Sequence, residues 1–205
     1  MGLQSESDQA PASLETTSST PGSVLFGPAG MGLAFLWGLA EGTLFFIVPD
    51  VIITFVALFR PRRSLLHLGF AVIGALIAGA MMFVWARQDP ETARAAVQAV
   101  PFVRPAMLKA ADRQLKERGE WALLQAGFTG MPYKLYTVAA PAHLSLATLL
   151  LTIFIARTLR FLFTWALFTA FATILRTRGV RKALPMVTMH LCIWTAFYAF
   201  YWSIV

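Results

Sequence analysis

The chain has 205 residues, of which 58% are hydrophobic and 13% are charged. This balance excludes an ordinary soluble domain and predicts an integral membrane protein. The formal charge of +7 comes mainly from short basic blocks between apolar stretches, which suits orientation in a membrane and argues against a nucleic-acid partner. At about 20 apolar residues per span, the length allows one polytopic domain at 25–205 and no separate catalytic domain.

Residues 1–24 are rich in Ser, Thr, Pro and Gly and lack the basic start of a signal peptide. We expect a disordered, retained tail. The apolar stretch 25–59 follows, and as one helix it would be about 52 Å long, against a hydrocarbon core of about 30 Å. We expect Gly38, Gly42 and the pair Pro49-Asp50 to break it into the two half-length helices of a re-entrant hairpin.

A basic loop at 60–63 precedes residues 64–86, which form the clearest transmembrane helix of the sequence. Its small residues either let a neighbouring helix approach closely or simply reflect the composition of membrane helices. They are Gly69, Gly74, Ala75, Ala78 and Gly79.

The stretch 87–120 is polar, and we expect a helix on each side of its prolines, Pro101 and Pro105. The part from Met107 to Gly119 mixes apolar and basic residues. It suits either a helix that lies along the membrane surface or a solvated helical linker.

The second half repeats the plan of the first. Gly127, Gly130 and Pro132 interrupt the apolar stretch 121–141, which predicts a second re-entrant hairpin, and a long tilted helix is expected at 143–175. A basic loop at 176–182 leads to a last span at 184–205, rich in Trp and Tyr. Broken segments at matching positions of two halves are typical of inverted-repeat transporters. If the two short basic loops face the cytoplasm, the N-terminal tail does too, and the linker and the C-terminus lie outside.

Five ionisable side chains fall within the apolar segments: Glu41, Asp50, Lys134, Arg157 and Arg160. A charge near a bilayer centre costs roughly 2.5–3.5 kcal/mol even on the most lenient scale. We therefore expect the five side chains to face one another or a wet cavity.

Arg157 and Arg160 are three residues apart, so on a helix they project from one face and suit a carboxylate or phosphate. Pairing the two acids with two of the three bases leaves one positive charge, which an anionic ligand would balance. We expect a phosphate-bearing lipid head group, with Glu41 and Asp50 available to carry protons as the coupling ion. The alternative is a non-transporting scaffold in which the five charges form fixed salt bridges.

Nothing in the sequence predicts an enzyme, a cofactor or a metal site. The histidines, His67, His143 and His190, belong to no metal or nucleophile motif, and we expect them to lie at the membrane interface or to serve helix packing. The one cysteine, Cys192, is expected to be a buried structural thiol.

Two short motifs resemble the DedA-type membrane proteins, also called the VTT or SNARE-associated Golgi protein family, and are most similar to the YqaA-like branch. The first is EGTLFFIVPD at 41–50, and the second is GFTGMPYK at 127–134. The resemblance covers about 25–175. Two departures stand out, because Lys134 occupies a position where many members have Arg, and Ala140-Pro141 a position where a small residue followed by Gly is usual.

The resemblance implies an all-α integral membrane fold with two inverted re-entrant hairpins and transmembrane helices, in a bacterial inner (cell) membrane. It implies lipid scrambling, polyprenyl-phosphate recycling or proton-coupled transport, with membrane lipids as partners. Glu41 and Asp50 match its acidic positions, Lys134 its basic hairpin position, and Arg157 a later base. The hairpin turns are expected at Pro49, Gly130 and Pro132. The oligomeric state does not follow from the sequence.

Overall fold

The computed structural model describes residues 24–179 and 182–204, and every regular element in these ranges is helical. The tail expected at 1–24 lies outside them except for its last residue. The helices are α1 (Pro28–Thr43), α2 (Asp50–Phe59), α3 (Pro61–Gln88), α4 (Pro90–Gln98), α5 (Pro105–Arg118), α6 (Glu120–Thr129), α7 (Tyr133–Ala139), a 3₁₀ turn (Ala140–Ala142), α8 (Leu146–Thr177) and α9 (Ala183–Ile204).

Proline sets the start of many of these helices. Pro28, Pro61, Pro90 and Pro105 each occupy the first position of a helix, where the missing N–H has no helical partner to lose and the fixed φ is already helical. Ser145 caps α8 by accepting a hydrogen bond from the backbone N–H of Thr148 at 3.1 Å. The residues at these helix starts therefore set the boundaries locally.

Three helices of the described chain are long and apolar enough to cross a membrane: α3, α8 and the part of α9 from Ala183 to Tyr201. At 28 and 32 residues, α3 and α8 are about 42 and 48 Å long, which exceeds a hydrocarbon core of about 30 Å. These three helices indicate a membrane protein.

The first apolar stretch is broken, but not where its glycines lie. Helix α1 runs through Gly38 and Gly42 without interruption, and the break occupies residues 44–49. The expectation that these glycines break the helix is wrong, because they serve packing instead. A Cβ on Gly38 would lie 2.2 Å from the carbonyl oxygen of Ala71 on α3, and one on Gly42 would lie 2.5 Å from the Cβ of Ala78.

The small residues of α3 do allow close approach, at some positions only. A Cβ on Gly74 would lie 2.2 Å from the carbonyl oxygen of Phe35 on α1, and one on Gly79 would lie 2.5 Å from Ile153 Cδ1 on α8. Gly69 has open space around it. The helix contact therefore depends on Gly74 and Gly79, and Gly69 is a glycine without a packing partner.

The polar stretch 87–120 forms two helices, α4 and α5, on either side of its prolines, as expected. Leu108, Ala111 and Leu115 on α5 are buried in the same core as α7. The Tyr136 hydroxyl on α7 also donates a hydrogen bond to Gln114 Oε1 on α5 at 2.5 Å. The apolar face of α5 therefore packs on the protein itself.

The second apolar stretch breaks at residues 130–132, as expected for Gly130 and Pro132, whereas α6 continues through residue 127. Gly130 has a φ of 78°, a left-handed conformation that glycine adopts without steric cost. Most of the first basic loop is helical, because α3 begins at Pro61, whereas α8 ends at Thr177, just inside the second. Cys192 is exposed on α9 rather than buried.

Helix α3 is the centre of the packed structure, because it contributes to both large apolar clusters. Its first half packs with α1, α2 and Phe161 of α8. Its second half packs with α5, α6, α7 and the start of α8. Helix α9 lies outside both clusters, and most of its described side chains are exposed.

Candidate functional site

A cavity of about 630 Å³ lies where the break before α2 and the break before α7 face α8 and α9. Four of the five charged residues expected to form a site line it: Glu41, Lys134, Arg157 and Arg160. The fifth, Asp50, is fully buried and reaches the group through Arg160. The structure therefore brings all five residues together.

Arg157 and Glu41 form the most buried ion pair. Arg157 Nη2 lies 2.9 Å from Glu41 Oε1, to which it donates a hydrogen bond, and 2.7 Å from Oε2. The two residues are 2% and 6% exposed. The Arg157 guanidinium also lies over the Tyr133 ring, with its carbon 4.4 Å from the ring centroid, so a cation–π contact supports the pair from a second side. This pair joins α1 to α8.

Asp50 and Arg160 form a second pair, one that joins α2 to α8. Arg160 Nη2 lies 3.3 Å from Asp50 Oδ2. The Thr164 hydroxyl donates a hydrogen bond to Asp50 Oδ1 at 2.7 Å. Arg157 and Arg160 project from the same side of α8, as their spacing predicts, yet each binds a different carboxylate.

Lys134 lies in the first turn of α7 and is 2% exposed. Its amine donates a hydrogen bond to the carbonyl oxygen of Phe45, in the break before α2. Within the described residues no carboxylate lies within ion-pair distance of this amine. Lys134 thus connects the two broken segments without having its charge neutralised.

Two tyrosines on α9 bind the backbone of the two breaks. The Tyr198 hydroxyl accepts a hydrogen bond from the backbone N–H of Val48 at 2.8 Å, next to Pro49, which caps α2. The Tyr201 hydroxyl donates one to the carbonyl oxygen of Gly130 at 2.9 Å. Because residues three apart share a helix face, one side of α9 covers both turns.

The walls of the cavity are mainly apolar and aromatic apart from the four charged residues. Phe45 and Phe46 come from the first break, Phe163 and Leu167 from α8, and Trp194 from α9. Arg157 Nη1 makes no hydrogen bond within the described chain, although Arg157 lines the cavity and is almost fully buried. A chamber of this kind suits an amphiphile whose polar end is an anion.

Comparison with family models, with curated proteins and with solved structures finds no match for this chain. The resemblance to DedA-type proteins therefore rests on the two short motifs alone. Within the described residues, no three His, Cys, Asp or Glu side chains gather where they would hold a metal ion.

Sequence reasoning missed four polar side chains of the site: Tyr133, Thr164, Tyr198 and Tyr201. A signal existed for Thr164, because it follows Arg160 by four residues and Arg157 by seven, the spacing of one helix face. The two tyrosines of α9 also share a face, but an interface location explains tyrosine near a span end equally well. For Tyr133 the sequence offers no signal beyond its position next to Lys134.

His67 and His190 serve helix packing, as expected, whereas His143 Nε2 lies 3.1 Å from Asp112 Oδ1 on α5. Both ring nitrogens of His67 face carbonyl oxygens, those of Leu25 at 2.9 Å and Arg63 at 3.0 Å. His190 Nε2 lies 3.0 Å from the Thr54 hydroxyl and so attaches α9 to α2.

Proposed function

We propose that this protein is a membrane transporter or lipid scramblase that moves an anionic, phosphate-bearing lipid. The observation that carries the proposal is the cavity, which combines apolar walls with a group of five charged side chains that sums to one positive charge. Four of the five are buried, and Arg160 is half-buried. A buried charge without a counter-ion is costly in a medium of low dielectric constant, so an anionic head group that enters the cavity is stabilised there.

The proposed architecture is that of two re-entrant hairpins, α1 with α2 and α6 with α7. Helix α2 has 10 residues and α7 has seven, about 15 and 10 Å of helix, and neither length crosses a hydrocarbon core of about 30 Å. Their breaks meet at the charged group, which is where inverted-repeat transporters bind substrate. Membership of the DedA-type family belongs to the same proposal.

We also propose that Glu41 and Asp50 exchange protons during transport, since each carboxylate contacts a base that a ligand can draw away. The proposed location is the bacterial inner membrane, with the N-terminal tail in the cytoplasm. Short basic segments at 60–63 and 176–182 support this orientation.

The competing function is a structural scaffold, and the same ion pairs favour it. Distances of 2.7 to 3.3 Å between guanidinium nitrogens and carboxylate oxygens are those of pairs that hold α1 and α2 on α8. A scaffold needs the pairs to fold, whereas a transporter needs them also to bind its ligand.

The test is a leaflet-exchange assay on vesicles that contain the purified protein and a fluorescent phospholipid. A quencher added outside removes only the outer-leaflet signal unless lipid crosses. We expect quenching beyond the outer-leaflet share with the wild-type protein and loss of this excess with Arg157→Gln. Arg113→Gln is the matched control, because Arg113 is exposed on α5 and outside the cavity.

The double variant Glu41→Gln with Arg157→Gln separates the two functions, because it removes the pair without leaving one of its two charges buried and unpaired. If a folded, monodisperse double variant exchanges lipid like the wild-type protein, the pair is structural. Absence of excess quenching with the wild-type protein would exclude scrambling of ordinary phospholipids.

A further inference from the structure

Two ion pairs account for four of the five charges around the cavity, and the fifth is a cation. Glu41 lies against Arg157 and Asp50 against Arg160, with oxygen to nitrogen distances of 2.7 and 3.3 Å. Lys134 has no such partner in the described ranges. The surplus of one positive charge is therefore located at the Lys134 amine.

Lys134 keeps hydrogen-bonding capacity as well as charge. An ammonium group has three N–H donors, and within the described residues only the carbonyl oxygen of Phe45 accepts one. The residue lines the cavity and is 2% exposed. Two donors of a buried cation thus remain for a ligand.

Arg157 also lines the cavity and has a second donor without a partner, which is itself buried. Its Nη2 is committed to Glu41, whereas its Nη1 has no partner within the described chain. An anion with two oxygens that share one charge matches donors from a neutralised guanidinium and from an uncompensated ammonium. The non-bridging oxygens of a phosphodiester have this form.

From this arrangement we infer that the cavity selects amphiphiles whose head group carries one net negative charge, as in a phosphodiester lipid, with Lys134 as the residue that sets this charge number. The inference rests on the proposed function for its site and goes beyond it in the class of ligand. A singly charged head group brings the buried group to neutrality. A zwitterionic head group leaves the net charge of the group at plus one. A phosphomonoester, which is doubly charged above its second pKa of about 6, changes this net charge to minus one.

The experiment measures binding rather than transport. The full chain in detergent is mixed at pH 7 with equimolar phosphatidylglycerol, phosphatidylcholine and phosphatidic acid of identical acyl chains, and native mass spectrometry identifies the bound lipid. We expect phosphatidylglycerol to exceed each of the other two by about tenfold, the ratio that a difference of about 1.4 kcal/mol produces. Equal occupancy by phosphatidic acid or phosphatidylcholine overturns the inference.

Variants of Lys134 assign the preference to its charge. Lys134→Gln is expected to abolish the advantage of phosphatidylglycerol over phosphatidylcholine, and Lys134→Arg to keep it. Lys116→Gln makes the same chemical change on the exposed side of α5 and is expected to leave the preference unchanged. If Lys134→Gln folds and keeps the wild-type preference, Lys134 does not set the charge number.

A soluble phosphodiester distinguishes a lipid from a free anion. Dimethyl phosphate in excess is expected not to displace phosphatidylglycerol, and complete displacement overturns the lipid assignment. The result is separable from the proposed function: preferential binding without leaflet exchange refutes transport alone, and leaflet exchange with no head-group preference refutes this inference alone.

Discussion

The buried carboxylate of Glu41 is acceptable to the fold because Arg157 neutralises it. The two residues are 6% and 2% exposed, so neither can turn to water when the other is removed. Truncating one partner of such a pair costs about 3–5 kcal/mol, mainly because the other charge stays buried without a counter-ion. The pair therefore contributes little net stability but is costly to break.

Glu41→Gln alone and Arg157→Gln alone should each lower the free energy of unfolding by about 3–5 kcal/mol, whereas the double variant should lose clearly less than the sum of the two. The reason is that the double variant leaves neither Glu41 nor Arg157 buried without its counter-ion. Chemical denaturation in detergent measures the cycle. Additive losses would show that the two side chains do not act as a pair.

How far the sequence predicts the site is clearest for these residues. It identified the five charges and the surplus of one, because charged side chains are conspicuous in apolar segments. It did not predict that Glu41 pairs with Arg157 and Asp50 with Arg160, since the pairing depends on the angle at which α1 and α2 meet α8. It also left Lys134 indistinguishable from the arginines, although only Lys134 lacks a carboxylate partner in the described chain.

At the scale of helices, a comparison of two glycines on α3 shows which of them the packing of α1 requires. Gly74→Ala should destabilise the protein by about 1–3 kcal/mol, because the new Cβ would lie 2.2 Å from the carbonyl oxygen of Phe35 and force α1 away. Gly69→Ala is the matched control on the same helix, because a Cβ at this position would have no atom within 4 Å outside its own helix backbone. It should stabilise by about 0.5–1 kcal/mol, the usual gain of alanine over glycine in a helix. Thermal unfolding of both variants measures the difference.

The cap of α4 gives a pH-dependent prediction outside the membrane-spanning helices. The Thr92 hydroxyl and the Thr92 backbone N–H both donate to the Asp89 carboxylate and hold its pKa below its usual range. A lowered pKa means that the ionised form is favoured in the folded state. The capping contribution is thus complete above the unfolded pKa of about 3.9 and is lost as pH falls through the lower folded value.

Amide hydrogen exchange at Thr92 should therefore quicken, relative to an intrinsic-rate correction, as pH falls below about 4. Asp89→Asn keeps a side-chain oxygen at the cap but does not titrate, so its corrected rate should stay constant over the same range. A parallel response in both proteins would refute the role of Asp89 ionisation.

Helix boundaries could be predicted where the signal is local. The breaks expected at Gly38, Gly42 and Gly127 were wrong, because the helices continue through these glycines. Prolines at the first helix position and the break at Gly130 and Pro132 follow from backbone geometry. Gly38 and Gly42 did not break α1, since glycine in an apolar helix serves equally well to admit a neighbour. Whether such a glycine breaks its helix or admits a neighbour depends on where α3 packs, and the sequence alone does not predict that position.

For the molecule as a whole, α9 is the helix held least by apolar packing and most by a few polar contacts. Tyr198→Phe removes the acceptor for the Val48 backbone N–H, and we expect faster hydrogen exchange at that amide, with a loss of about 0.5–1.5 kcal/mol in local stability. Tyr201→Phe, which removes the donor to Gly130, serves as the comparison and should leave the Val48 amide unchanged. Unaltered exchange at Val48 in Tyr198→Phe would show that Tyr198 does not hold the first break.

The separation of the ion-pair partners along the chain sets the time between the synthesis of the first and the synthesis of the second. Glu41 and Arg157 lie 116 residues apart, so at a translation rate of about 5–20 residues per second the carboxylate waits about 6–23 s for its arginine. During that interval α1 carries an acid without its partner. A nascent chain that has α1 but not yet α8 therefore holds this carboxylate without its counter-ion, and the completion of α8 supplies the arginine that neutralises it.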